Sequence, residues 1–314
     1  MTPRILAIGT YVPDRRISNV ARLHELGLDA QFVAEKIGVL ERAVKEAGER
    51  TSDMCVKAVR DLQTRLSLPL GSVELLCVVT QNPDCRVPHT AAIVHQALGL
   101  SKDCMTFDVS QGCAGFTHGI GIVTAMMNAY GLRNALLLTC DPYSTIVDET
   151  DRNTALLFGD AATATWFGAD GAGYALGDIT FGTRPGSADC LRCEDRLEMD
   201  GRAVLMNAAH EVPASVETLL ARNGLAVSDI DAFLFHPGSR RIVDLLRSTL
   251  RVDETLAPFA IECYGNTVSS SIPLMLAERF PARVGSKLVL SGFGVGFSWA
   301  SSLIEYLEGN DYGR

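Results

Sequence analysis

Three pairs of segments recur along this chain in the same order, and a chain that repeats itself on this scale has to build two similar halves. Gly71-Ser-Val-Glu-Leu-Leu-Cys77 resembles Val227-Ser-Asp-Ile-Asp-Ala-Phe233. Phe107-Asp-Val-Ser-Gln-Gly-Cys113 lines up with Ala260-Ile-Glu-Cys-Tyr-Gly-Asn266, and Asn134-Ala-Leu-Leu-Leu-Thr139 with Lys287-Leu-Val-Leu-Ser291. The interval is shared too: 134 − 113 and 287 − 266 are both 21 positions. The expected division is residues 1–168, an N-terminal half holding Cys113, and residues 169–314, a C-terminal half holding His236 and Asn266. If the halves superpose, Cys113 and Asn266 occupy equivalent strand-to-helix turns. A pseudo-two-fold then brings both turns to the carboxyl ends of the strands, where α/β proteins place their sites.

The pattern between the repeats alternates apolar, β-rich runs with helical periodicity, which predicts an α/β protein. Strands are expected at 4–9, 75–80, 104–109, 135–139, 161–167, 232–235, 259–262 and 287–291. Most lack polar alternation, as strands covered on both faces do. Hydrophobic residues make up 47% of the 314, enough for a sizeable packed core. The net charge of −9 disfavours a nucleic-acid binder, which needs a basic footprint. No stretch approaches the roughly 18 apolar residues of a membrane span, and the apolar opening is too short for a signal peptide. The nine cysteines are an odd number scattered through apolar segments, which argues against a disulfide framework. A cytoplasmic protein is expected. Cys190 and Cys193 form a lone Cys-x-x-Cys without the second ligand pair that structural zinc requires, so no metal site is expected.

A strand-like run ends at Ser110, a Gln-Gly turn follows, and Cys113 opens a long apolar helix pattern. A cysteine at a helix start has its thiolate favoured by the helix dipole and by free N–H groups, which suits a nucleophile. Of six histidines, His236 directly follows the apolar run 232–235 and precedes Pro237-Gly238, so it sits at the rim of a sheet. His118 is five residues past Cys113 and points off its helix face, while His89 lies in a loop. Ser291-Gly-Phe-Gly-Val-Gly-Phe297 allows close backbone approach. Its spacing is not that of a dinucleotide fingerprint, and a strand-like run follows it, so an oxyanion-type N–H donor fits better. Nucleophile, histidine, facing asparagine and glycine loop together describe acyl transfer.

On these motifs the chain resembles the β-ketoacyl-(acyl carrier protein) synthase III family of thiolase-fold condensing enzymes. The likeness extends through Ile5-Leu-Ala-Ile-Gly-Thr-Tyr-Val-Pro13, Ile37-Gly-Val-Leu-Glu-Arg42 and Asp151-Arg-Asn-Thr-Ala-Leu-Leu-Phe-Gly-Asp160. The resemblance implies a five-layered αβαβα fold of two duplicated halves and a homodimer. It implies that Cys113 takes an acyl group from a thioester. His236 and Asn266 then hydrogen-bond a malonyl thioester as carbon dioxide leaves, and the N–H groups of Cys113 and Gly296 hold the oxyanion. The substrates are thioesters of coenzyme A or of a carrier protein, with no other cofactor.

Departures from the family pattern concern the thioester's carrier. The adenine-sandwiching Trp and Arg of the family map to Phe32 and Leu40, while Arg152 is retained. The histidine motif is His-Pro-Gly-Ser, with Ser239 in place of Asn. That motif and its neighbours look closer to type III polyketide synthases, which use malonyl-coenzyme A in secondary metabolism. In the loop Pro83-Asp-Cys-Arg-Val-Pro88, Arg86 and Val87 stand where apolar or aromatic pocket residues are common. Arg241 matches a carrier-recognition position, and Arg240, Arg247 and Arg251 are spaced as a basic stripe on one helix face. Two alternatives are transfer from Cys113 to an alcohol or amine, and a non-catalytic subunit. Retention of Asn266 argues against the first and the intact triad against the second.

Overall fold

The computed structural model describes residues 2–66 and 68–309. Nine strands form one mixed sheet: β1 (Arg4–Tyr11), β2 (Leu75–Val79), β3 (Met105–Val109), β4 (Asn134–Cys140), β5 (Ala162–Gly168), β6 (Gly173–Thr183), β7 (Ala232–Phe235), β8 (Lys287–Gly294) and β9 (Ser298–Leu307). Across the sheet they run β7-β8-β9-β6-β1-β5-β4-β2-β3.

That order is one pairing scheme used twice. From the centre outward, β1 runs antiparallel to β5 and β5 antiparallel to β4; β4 is parallel to β2 and β2 to β3. On the other side β6 is antiparallel to β9, β9 antiparallel to β8, and β8 parallel to β7. The two runs meet where Arg4 and Ile5 face Ala175 and Tyr174. Side chains repeat as well. The Glu74 amide donates to the Asn134 carbonyl at 3.0 Å, and its carboxylate accepts from the Asn134 N–H at 3.1 Å. Asp231 makes the same two bonds to Lys287, each at 2.8 Å. Segments matched by sequence thus hold matching places.

One expected strand is absent. Residues 259–262, the counterpart of β3, form no ladder. The Glu262 carbonyl instead accepts from the amides of Leu40 and Glu41, and Phe233 N–H turns to the Leu256 carbonyl. Phe259 and Ile261 pack with Val39 and Val243. The Glu262 carbonyl that a ladder would use is committed to residues 40 and 41.

Six helices flank the sheet: α1 (Thr51–Arg65), α2 (Thr90–Leu98), α3 (Gly115–Tyr130), α4 (Gly201–Arg222), α5 (Arg240–Leu250) and α6 (Ser271–Ala277). Because successive side chains of a strand point to opposite faces, Leu75, Cys77 and Val79 pack with Phe116, Ile120 and Val123 of α3. Leu76 and Val78 pack with Met54 and Val59 of α1 and Val94 of α2. In the other run, Ala232, Leu234, Leu288 and Leu290 join the core around α3 and α6. Phe233, Phe235 and Val289 face Val212 and Val216 of α4 and Leu246 of α5. The layers are therefore α1/α2, sheet, α3/α6, sheet, α4/α5, the five-layered thiolase-like arrangement. Each fully buried Val, Leu or Phe contributes roughly 1.5–3 kcal/mol. Burial of both strand faces explains why the strand sequences do not alternate. Among the described residues no helix is long and apolar enough to cross a membrane.

Candidate active site

Cys113 is placed by glycines. Gly112 has φ 54°, and a Cβ there would stand 2.5 Å from Gln81 Oε1. Cys113 sits in the short turn Gly112–Ala114 that leads into α3. A Cβ on Gly294 would lie 2.8 Å from Cys113 Cβ and 3.0 Å from its Sγ, and one on Gly292 would lie 2.9 Å from the Cys113 carbonyl. Side chains in this stretch of β8 would collide with the Cys113 turn.

His236 follows β7, and its N–H donates to the Ser291 carbonyl at 2.8 Å. The ring is buried and stands edge-on to Phe293, centroids 5.6 Å apart at 87°. Nδ1 is buried without a hydrogen-bond partner. An orphaned lone pair is better tolerated than an orphaned N–H, so the proton belongs on Nε2.

Asn266 is clamped by the Leu-Phe-Gly-Asp segment. Its N–H donates to the Leu157 carbonyl at 2.9 Å, and its carbonyl accepts from Gly159 N–H at 3.0 Å. Only glycine fits at 159, since a Cβ would meet the Tyr264 carbonyl oxygen at 1.8 Å. The Asn266 Oδ1 accepts from Val268 N–H at 2.9 Å. Val268 is a β-branched residue with φ 54°, a conformation that costs on the order of 1–3 kcal/mol.

Cys113, His236 and Asn266 line one cavity of about 190 Å³. Phe32, Arg152 and Ser239 line it too; Arg241 lies outside it and is exposed. Gly294 faces the cavity, whereas Gly296 is not among its lining residues. Ser239 Oγ accepts from Ile242 N–H at 3.4 Å and so caps α5. Arg152 donates to the Gly27 carbonyl at 3.2 Å. Leu40 is exposed and lines no part of the cavity. His89 bonds Thr106, and His118 lies beside Phe181, both away from the cavity. Val87 is exposed at the tip of its loop.

Two expectations change. Burial, and then the nearby Asp141 carboxylate, push the Cys113 thiol well above its ordinary range despite the helix start. Burial holds His236 down to about 3. The resting pair is thiol and neutral imidazole, not thiolate and imidazolium. The basic stripe is also thinner than its spacing suggests. Arg240 bonds Glu262 and stacks on Phe259, and Arg247 bonds Asp244 and the Ala257 carbonyl. Only Arg241 and Arg251 stand out from that face.

Sequence reading missed part of the lining. Lys36 and Asn153 reach the cavity, as do Leu191 and Met199 on a small hairpin, Leu191–Cys193 against Leu197–Met199. Cys190 and Cys193 flank that hairpin strand as free thiols. Among the described residues there is no cluster of three or more His, Cys, Asp or Glu able to hold a metal.

Comparison with known proteins gives one consistent family. Residues 107–185 match the model for 3-oxoacyl-[acyl-carrier-protein] synthase III, and residues 220–306 match the model for its C-terminal part. The chain is 31% identical to the β-ketoacyl-[acyl-carrier-protein] synthase III of Levilactobacillus brevis, covering 96% of this chain and 98% of that one. It is 30% identical to the enzyme of that name from Deinococcus deserti, over 97% of this chain and 91% of the relative. The crystal structure of the Thermus thermophilus synthase III superposes with a TM-score of 0.91 at 30% identity, over 98% of this chain and all of that one. The chain belongs to the β-ketoacyl-[acyl-carrier-protein] synthase III family.

Proposed function

We propose that this protein is an acyltransferase-type condensing enzyme that joins an acyl thioester to malonyl-acyl carrier protein and yields a β-ketoacyl thioester. The observation that carries the reading is the convergence of Cys113, His236 and Asn266 on one buried cavity. The relatives' shared name favours condensation over transfer to an alcohol or amine.

In the first step Cys113 Sγ attacks the thioester carbonyl. The thiol proton passes to the departing sulfur as its C–S bond breaks, and His236 keeps its own proton on Nε2. The product is acyl-Cys113. In the second step the malonyl thioester carbonyl accepts hydrogen bonds from His236 Nε2–H and the Asn266 amide. Loss of carbon dioxide leaves its electron pair on the α-carbon, and fixed donors stabilise the enolate charge that develops. The α-carbon attacks the acyl-Cys113 carbonyl, the C–S bond breaks, and the Cys113 thiolate takes a proton from water. We assign the oxyanion of the tetrahedral states to the Cys113 N–H; Gly296, the expected second donor, lies off the cavity lining and is not given that role. A neutral imidazole suits this cycle, because its Nε2–H donates to the malonyl carbonyl without adding a buried charge.

No cofactor beyond the thioesters enters this scheme. Phe32, Arg152 and Ser239 are proposed to contact the pantetheine or coenzyme A end of the thioester, and Arg241 to meet an acidic carrier protein. A cytoplasmic homodimer of chains divided at 168/169 completes the reading.

Intact-protein mass after incubation with acyl-coenzyme A thioesters, followed by malonyl-acyl carrier protein, tests it. A single acyl adduct is expected, discharged by the malonyl donor and absent from Cys113→Ala. No adduct with any thioester would remove the nucleophile.

A further inference from the structure

Asp141 follows β4 and is fully buried, with no cation paired to it among the described residues. One carboxylate oxygen accepts from the Gln81 N–H at 2.6 Å and the other from the Ser269 hydroxyl, and the Ser269 N–H donates to the carboxylate as well. These partners lie on either side of the reacting groups. Gln81 Oε1 accepts from the Tyr143 hydroxyl at 2.7 Å and abuts Gly112, next to Cys113. Ser269 is the middle residue of the turn Val268–Ser270, whose first N–H sets the Asn266 amide.

That turn is held in a left-handed conformation a valine disfavours, so its surroundings must over-determine it. Three consecutive buried serines do so. Ser269 bonds Asp141. The Ser270 hydroxyl reaches the carbonyls of Thr139 and Ala161 at 3.1 and 3.2 Å, and Ser271 Oγ accepts from Thr267 N–H at 3.1 Å. Ser269 and Ser270 thus tie the turn to the strand ends that carry the Cys113 side of the cavity.

Resting on the condensing reading, we propose that Asp141 and Ser269 are positioning residues for the decarboxylative half of the reaction. Their contact fixes the Val268–Ser270 turn and through it aims the Asn266 amide at the malonyl carbonyl. Neither touches the reacting atoms. A carboxylate suits the place because its two oxygens accept from donors on both sides at once. An asparagine cannot replace it: with its oxygen on the Gln81 N–H, its NH₂ faces the Ser269 N–H, donor against donor. Alanine makes neither contact.

The test compares the two half-reactions in the full-length protein. Acyl-Cys113 formation is followed by intact mass, and kcat and KM are measured with malonyl-acyl carrier protein. Ser269→Ala is expected to acylate within about twofold of wild type, while kcat of condensation falls at least about tenfold with little change in KM, as misaimed groups do. Asp141→Ala and Asp141→Asn should lose condensation to the same extent while acylation does not fall, since removing the charge beside Cys113 eases ionisation of the thiol. If Asp141→Ala does not fold, Ser269→Ala and Asp141→Asn carry the comparison. Wild-type condensation in Ser269→Ala, or acylation and condensation falling by one factor, would overturn the proposal. A wild-type enzyme that acylates but never condenses would instead overturn the condensing reading itself.

Discussion

The Val268 amide donates to Asn266 Oδ1 at 2.9 Å, and this bond decides which end of the Asn266 side chain faces the cavity. With the oxygen engaged, the NH₂ group is the end available to substrate. The same segment fixes the backbone on both sides, through Leu157 and Gly159.

Asn266→Asp separates acceptor from donor. The aspartate can still accept from Val268 N–H, but offers the substrate no N–H. Release of carbon dioxide from malonyl thioester is expected to drop by about 10²–10³, the usual size for one preorganised donor. Acylation of Cys113 should persist. Decarboxylation at the wild-type rate would remove the donor role.

Gly294 sets the space around the nucleophile. An alanine methyl there would be 2.8 Å from Cys113 Cβ and 3.0 Å from Sγ, so the thiol must move. Gly294→Ala is expected to fold and to lose acylation by about 10²-fold, the scale of an ångström-sized misplacement. The measurement is the acyl-adduct rate by mass. Unaltered acylation would mean that the Cys113 turn yields freely.

How much of this was legible in the sequence follows from what is local. Gly112 and Cys113 lie in one turn, so a strand, a glycine and a helix start mark the place. Asn266 has no local signal, and only the repeat gives it a partner. His236 was marked by the strand end and Pro237-Gly238. The cavity wall was not legible, because Lys36, Asn153 and Met199 come from segments far apart in the chain. β6 was missed for its glycines and Asp178, which break an apolar run. Residues 259–262 have strand composition, but their backbone bonds go to 40–43. Charge spacing misled for α5, since Arg240 and Arg247 are folded back onto neighbouring groups.

Burial of His236 has a thermodynamic signature. Its folded value is held down to about 3, against an ordinary 6.5, so between these limits the unfolded chain binds one more proton. The stability contributed by the neutral ring is fully present above pH 6.5 and is lost as pH falls toward 3. The slope approaches about 1.4 kcal/mol per pH unit. His236→Gln does not titrate there, so denaturant unfolding between pH 6.5 and 4.5 should show a shallower decline by about that amount. Parallel declines for the two proteins would mean that the folded ring is charged.

Asp141 acts on Cys113 through its charge as well as through its bonds. Burial pushes its own carboxyl up to about 6, so it is ionised at pH 8, where it opposes loss of the thiol proton. Asp141→Asn removes that charge at nearly constant side-chain volume. The thiol then ionises more readily, and the iodoacetamide alkylation profile of Cys113 should move to lower pH. Below pH 6 the wild-type carboxylate is itself protonated and the two proteins should converge. The other groups facing the thiol do not mask this shift: His236 is neutral throughout the range, and burial raises Tyr143 well above its ordinary value. A profile that stays in place, or moves to higher pH, would show that desolvation alone holds the proton on sulfur.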